Sequence, residues 1–232
     1  MQTTTWHAKR DALETYFDRT AAKAWERLTS DAPVSGIRAT VRAGRETMRN
    51  TLLSWLPADM TGLRLLDAGC GTGALAVEAA RRGAHVVAID VSPTLVGLAR
   101  ERHVDCGPGS IEFRVGDMLD PGLGRFDHVV AMDSLIHYRD TDILRAVAAL
   151  CAIANGSVLF TFAPRTPALT AMWTVGKLFP RSDRSPAIVP VTEAKLRRQL
   201  AHDPALADWH AARGHRVGRG FYTSQAQEML PR

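Results

Sequence analysis

From Leu63 to Phe162 the chain keeps switching between the two hydrophobic periods, and that alternation limits its fold more than any other feature. The runs LRLLDAG, HVVAID, IEFRVGD and FDHVVAMD read as strands, and SVLFTF as a fifth. Helical stretches lie between them: ALAVEAARR stopped by Gly83, a helix entered through Ser92 and Pro93, and one from about Asp140 to Ile153 closed by Asn155 and Gly156. Strands joined by helical crossovers run in the same direction. The class is therefore α/β, a mainly parallel twisted sheet with helices on both faces.

Upstream, Leu13, Phe17, Ala21, Ala24 and Leu28 recur at helical spacing, and Ile37, Val41, Met48, Leu52 and Trp55 do so again before Pro57. This predicts N-terminal helices forming a cap over residues 1–57, ahead of a main domain over 58–232. Arg38, Arg42, Arg45 and Arg49 form a basic stripe set opposite the Ile37/Val41/Met48 face. Such a stripe is either a solvated helix side or a surface for an acidic partner or an anionic membrane. Between Pro164 and Pro190 the pattern lapses into a Pro-rich insertion or lid, after which EAKLRRQLA reads as a helix. The closing DWHAARGHRVGRGFYTSQAQEML reads as a C-terminal antiparallel hairpin.

Composition narrows the rest. At 232 residues and 46% hydrophobic, the chain has enough apolar side chains for one substantial core. Its net charge of +5 is modest and not gathered in a tail. Cys70, Cys106 and Cys151 are odd in number and far apart, which argues against a disulfide framework and for a reducing, cytoplasmic setting. No secretory signal or membrane span is expected. The His103/Asp105/Cys106 cluster is too slight to predict zinc, and no metal is expected.

The stretch LLDAGCGTG, Leu65–Gly73, turns a strand into a glycine-rich loop. Gly71, Gly73 and Ala76 satisfy the spacing of a dinucleotide loop, so NAD is one reading. Ligands of such sheets sit beyond the strand ends, however, and here Asp67, Asp90 and Asp117 close three of them. A carboxylate as near the loop as Asp67 repels a pyrophosphate but suits the ammonium and sulfonium of S-adenosylmethionine. Asp90 serves either ligand through ribose hydroxyls, and Asp117 can accept an adenine amino group while the Met118 backbone meets the ring. Cys70 reads as a buried filler, since no base adjoins it in sequence.

After the fourth strand comes MDSLIHYRD, where Asp133, Ser134, His137 and Tyr138 would face an acceptor, with Tyr16 and Phe17 as covers. No Asn-Pro-Pro-aromatic run is present to grip an exocyclic amine, and no cysteine for a covalent adduct with a base. Met172, Trp173, Leu178 and Phe179 in the insertion, and Trp25 on the first helix, are candidate walls. Arg165, Lys177, Arg181 and Arg184 are candidate partners for an acidic group.

Asp67, Gly69, Gly71 and Gly73 match acidic-x-G-x-G-x-G, and Asp90 and Asp117 match the next acidic positions, of the Rossmann-like class I methyltransferases, which the chain resembles. MDSLIHY, with YFDRTAAKAWERL and GFYTSQAQEML, is similar to the magnesium protoporphyrin O-methyltransferases of bacteriochlorophyll synthesis, over essentially the whole chain. The resemblance implies S-adenosylmethionine as cofactor and a propionate of magnesium protoporphyrin IX as methyl acceptor. The cofactor-binding set is then Asp67, Gly69, Gly71, Gly73, Asp90, Asp117, Met118 and Asp133, with Tyr16 and His137 implicated in activity. It also implies a link to the large subunit of the magnesium chelatase and peripheral contact with the photosynthetic membrane.

A propionate resembles a Glu side chain, with a pKa of about 4.3, so at neutral pH it needs no base. His137 is then an orienter of one carboxylate oxygen, and becomes a base only if burial raises the propionate pKa. Two alternatives stand beside this: another small carboxylic acid or phenol as acceptor, or a basic RNA-binding module. The second is disfavoured, and no nucleic-acid partner is expected, because the basic residues lack interleaved aromatics.

Overall fold

The computed structural model describes residues 4–18, 36–102, 105–166 and 187–232. Helix α1 (Thr4–Tyr16) and helix α2 (Gly36–Ser54) precede strand β1 (Arg64–Ala68). Then follow α3 (Ala74–Arg81), β2 (His85–Asp90), α4 (Pro93–Arg102), β3 (Ser110–Val115) and β4 (Phe126–Ala131). Helix α5 (Asp140–Ile153), β5 (Ala154–Phe162), α6 (Glu193–His202), β6 (Trp209–Arg219) and β7 (Tyr222–Pro231) complete the chain.

The seven strands form one sheet in the order β3-β2-β1-β4-β5-β7-β6. The first five are parallel, and the β6–β7 hairpin joins β5 antiparallel. Consecutive residues of a strand point to opposite faces, and Leu65 and Leu66 on β1 show the consequence. Leu66 packs with Val87, Val129 and Phe160 in the core shared with α5 through Ile143, Val147 and Leu150. Leu65 packs with Val86, Val130 and Leu159 in the core on the other face, shared with Met48 and Leu52 of α2 and Ala79 of α3. The parallel sheet, both helical layers and the terminal hairpin are as expected.

Two expectations fail locally. Asn155 and Gly156 do not close α5: the chain passes from Ile153 directly into β5, and both residues belong to that strand. Arg125 takes the Asn155 Oδ1 in a fork from Nε at 3.0 Å and Nη2 at 2.7 Å. A Cβ on Gly156 would lie 2.8 Å from the Asp127 carbonyl oxygen, so glycine here serves close strand approach at a shift in register and not a helix end. The second concerns Ile37, expected on the buried face of α2 but 56% exposed, because the core contact of that helix begins one turn later, at Val41.

Gly44 sets how closely α2 approaches the hairpin. A Cβ there would stand 2.5 Å from Cδ1 of the Tyr222 ring. We expect Gly44→Val to destabilise the protein by about 1–3 kcal/mol through overpacking. Thermal unfolding should register this as a fall of about 2–4 °C per kcal/mol for a chain of this size.

Candidate active site

A cavity of about 490 Å³ opens beyond the carboxyl ends of β1, β2, β3 and β4 and collects most of the residues singled out in the sequence. The glycine loop forms its floor. Gly69 and Cys70 donate their N–H groups to the Ile89 carbonyl at 2.8 and 3.0 Å, and the Gly71 N–H donates to Asp90 Oδ2 at 2.8 Å. Gly69 has φ +84, and any Cβ on it would fall 2.4 Å from the Ser134 Cβ, so the loop can meet the turn after β4 only through glycine. The Cys70 thiol is pushed well up by burial, which leaves it unreactive as expected.

Asp67 is 2% exposed, and its Oδ2 is buried without a hydrogen-bond partner. Desolvation first, then the charge of Asp90, raises its pKa to about 7, against a smaller opposing effect from the Ala76 N–H. The sequence argument treated Asp67 as a standing negative charge. Instead it is a carboxyl only partly ionised near neutrality. The Ser134 Oγ beside the same loop is a second buried polar atom without a partner. Two orphaned acceptors at one spot fit a ligand that brings N–H donors and positive charge.

Asp90 keeps both oxygens on backbone N–H groups, Gly71 at 2.8 Å and Ser92 at 3.0 Å, with burial raising its pKa. Asp117 lies two residues past β3. Its Oδ1 accepts from the Leu119 N–H at 2.9 Å, and its Oδ2 accepts from Trp6 Nε1 at 3.2 Å and Arg10 Nη1 at 3.1 Å. Helix α1 is thereby fixed across the cavity, with Trp6 stacked on Tyr138 at 4.3 Å. Met118 is buried in the same wall.

Asp133 is placed differently from the other expected cofactor ligands. It stands at φ +55 and has only 4% of its side chain exposed. Its carboxylate accepts from Arg45 Nη1 at 2.9 Å, Tyr222 Oη at 3.0 Å, and Ser224 Oγ and Thr161 Oγ1 at 3.3 Å. Its own N–H donates to Thr161 Oγ1 at 2.7 Å. Four protein donors make this carboxylate a junction between α2, β5 and β7 that fixes the MDSLIHY turn where it borders the cavity.

His137 and Tyr16 both line the cavity. His137 is 8% exposed, with Nδ1 3.4 Å from the Ala187 carbonyl oxygen. Tyr16, the last residue of α1, meets Phe17 edge-on at 5.3 Å. The described ends of the 164–190 insertion adjoin this turn, with Val189 N–H donating to the Ile136 carbonyl at 2.9 Å and Pro164 bridged to Val191.

Arg165, which by sequence could meet an acidic group of the acceptor or simply solvate the insertion, is exposed and outside the cavity wall. Trp25, Met172, Trp173, Lys177, Leu178, Phe179, Arg181 and Arg184 lie outside the described residues, as does His103. Among the described residues no group of three or more His, Cys, Asp or Glu could hold a metal. Sequence reasoning missed Trp6, Arg10, Tyr222 and Ser224, whose roles depend on contacts more than 80 residues away. It also misplaced Arg42, Arg45 and Arg49, which line the cavity.

Comparison with known proteins gives a consistent result. Residues 131–231 match the family model described as magnesium-protoporphyrin IX methyltransferase C-terminus, and residues 65–155 match a methyltransferase domain. The chain is 51% identical over 223 residues to the magnesium-protoporphyrin O-methyltransferase of Rhodobacter capsulatus, covering 96% of each chain. It is 30% identical over 219 residues to the Synechocystis protein of the same name, covering 93% of each. The crystal structure of magnesium protoporphyrin IX methyltransferase from Synechocystis with bound SAH superposes with a TM-score of 0.83 at 28% identity, covering 96% of this chain and 99% of that one.

The state of Asp67 gives a pH dependence with a definite sign. A cationic ligand beside it lowers its pKa from about 7, so binding near neutrality releases a proton and affinity weakens as pH falls. Titration calorimetry with S-adenosylmethionine should show affinity falling by up to about tenfold per pH unit below pH 7. Asp67→Asn should flatten that dependence; a wild-type profile already flat from pH 8 to 6 would contradict this account of Asp67.

Proposed function

Because the chain belongs to the magnesium-protoporphyrin O-methyltransferase family, we propose that it transfers the methyl group of S-adenosylmethionine to a propionate carboxylate of magnesium protoporphyrin IX, giving the monomethyl ester. The observation that carries this reading is the division of the cavity. Orphaned acidic and hydroxyl oxygens stand at the strand ends, while His137, Tyr16 and arginines of α2 stand on the acceptor side. When bound, S-adenosylmethionine supplies a methyl group on a sulfonium, which a carboxylate oxygen accepts while the electron pair of the broken bond stays on sulfur.

Asp67 and Ser134 would hold the ammonium end of the cofactor and Asp90 its ribose. Asp117 and Met118 would close the adenine end. Gly69, Gly71 and Gly73 let the loop pass beneath. Asp133 supports this set through its protein partners and fixes the acceptor turn. His137 orients one oxygen of the already ionised propionate, and Tyr16 donates to the other. Helices α1 and α2, with Ala163 and Ile188 at the described ends of the insertion, would border the acceptor. Excluding water there suits a reaction that joins a cation and an anion into neutral products.

The same reading extends to the rim. Phe221 at the hairpin tip is 60% exposed and Ile37 at the start of α2 56%, with Arg38 and Arg219 beside them in sequence. No helix among the described residues is long and apolar enough to cross a membrane. This apolar and basic rim is where we place peripheral contact with an anionic membrane and handover of the macrocycle from the magnesium chelatase.

Purified protein incubated with S-adenosylmethionine and magnesium protoporphyrin IX should yield the monomethyl ester, scored by chromatography. Tyr16→Phe and His137→Ala should lower kcat/KM by about 10- to 100-fold with cofactor affinity held within about twofold. His137→Asn, which keeps a donor, should retain more activity than His137→Ala. Absence of ester with the wild-type protein would refute the assignment.

A further inference from the structure

Helix α2 carries an arginine row that the reaction as described does not use. At roughly 100° per residue, the buried positions Gly44, Met48 and Leu52 occupy one sector of the helix, Leu53 near its C-terminus lies about half a turn from Gly44, and Arg38, Arg42, Arg45 and Arg49 fall between. The row is therefore about a quarter-turn from the core and faces the cavity. Arg42, Arg45 and Arg49 all line it. Arg45 is committed to Asp133 at 2.9 Å, and that contact locates the row. Asp133 begins the turn that carries His137, so α2 meets the acceptor turn at Arg45. Arg42 and Arg49 lie one helical turn to either side of it.

The two sides differ. Toward its C-terminus α2 is enclosed, with Leu52 and Leu53 fully buried and the Leu53 carbonyl accepting from Arg82 Nη1 at 2.7 Å. Toward its N-terminus it runs out along the hairpin tip, where a Cβ on Gly220 would lie 2.7 Å from Thr40 Oγ1 and the adjoining Phe221 ring is exposed. Arg42 is thus the cavity-lining arginine on the side of the exposed hairpin tip, one turn from the contact with the acceptor turn. Glu46, also on the cavity wall, lies further round the helix from the core and is exposed.

We propose that Arg42 holds the propionate that is not methylated, and that this contact stops the reaction after one methyl group. The inference rests on the macrocycle reading above. The substrate carries two ionised propionates on one edge, so when one is aligned at His137 the other needs a cationic partner close by. A guanidinium matches it in two parallel hydrogen bonds. Once one propionate is an ester, the macrocycle can present its remaining carboxylate for reaction only by turning over, which places the neutral ester against Arg42. A lost charge-assisted hydrogen bond costs about 10- to 100-fold in affinity, enough to favour release of the monoester.

The test compares Arg42→Met, Arg42→Lys and Arg49→Met with wild type. Three readouts are taken: KM for magnesium protoporphyrin IX, Kd for S-adenosylhomocysteine, and the ratio of dimethyl to monomethyl ester at long incubation. Arg42→Met should raise KM by about 10- to 100-fold, leave Kd within about twofold and accumulate dimethyl ester; Arg42→Lys should recover most of both effects. A loss confined to Kd would assign Arg42 to the carboxylate of the cofactor and overturn the proposal. Unchanged KM and product, or equal dimethyl ester from Arg49→Met, would also overturn it. If the wild-type protein makes no ester, the function itself fails; if it makes ester and Arg42→Met behaves as wild type, only this inference falls.

Discussion

The site depends on how Asp133 is held. A non-glycine residue at positive φ is strained, and a buried carboxylate is costly unless it is paired. Both costs are met at one point, because Arg45, Tyr222, Ser224 and Thr161 all donate to that side chain. The donors come from α2, β7 and β5, which are far apart in the chain. The turn bearing Ser134 and His137 is consequently fixed by the N-terminal helix and the C-terminal hairpin together, and neither alone could define it. Gly44 belongs to the same arrangement: without its missing side chain the Tyr222 ring, and with it the hydroxyl that reaches Asp133, would be displaced.

Helix α1 is fixed in a related way, with a different partner. Trp6 and Arg10 both donate to Asp117, so a residue expected at the adenine end also anchors the helix that ends in Tyr16. At the far end, Asp18 accepts from the Thr94 N–H at 3.3 Å. The strand-end carboxylates thus act both as a prospective ligand surface and as anchors for the elements that cover it.

What could be read from the residues alone follows from range. Strands such as HVVAID, bounded by a glycine and a Ser-Pro helix start, carry their signal in adjacent positions, and β2 is found at those residues. The glycine loop and the three acidic strand ends are likewise local. Asn155-Gly156 misled because the same dipeptide suits a helix end and a close strand approach, and the Asp127 carbonyl that decides between them is 29 residues away. Asp133 could be seen as a residue of the site, but its four donors could not. The arginine row was visible as a period, yet whether it faced solvent or the cavity depended on an angle of about a quarter-turn about the helix and on the neighbour found there.

The placement of charge in the cavity carries a further consequence. Apart from Glu46 of α2, the negative groups come from strand ends and the turns that follow them, where backbone geometry is rigid, and the cationic groups from the two N-terminal helices. Asp67 is buried and exists near neutrality as a mixture of acid and carboxylate. In the empty protein this limits the repulsion between Asp67 and Asp90 that full ionisation of both would cause. With a cation bound, the same pair becomes fully negative and holds it. The rigid half therefore suits a ligand of fixed shape and positive charge, while side chains on helices, with longer reach, meet a broad acceptor whose acidic groups lie at its edge. Each reactant is matched by the kind of element able to present the opposite charge at the required distance.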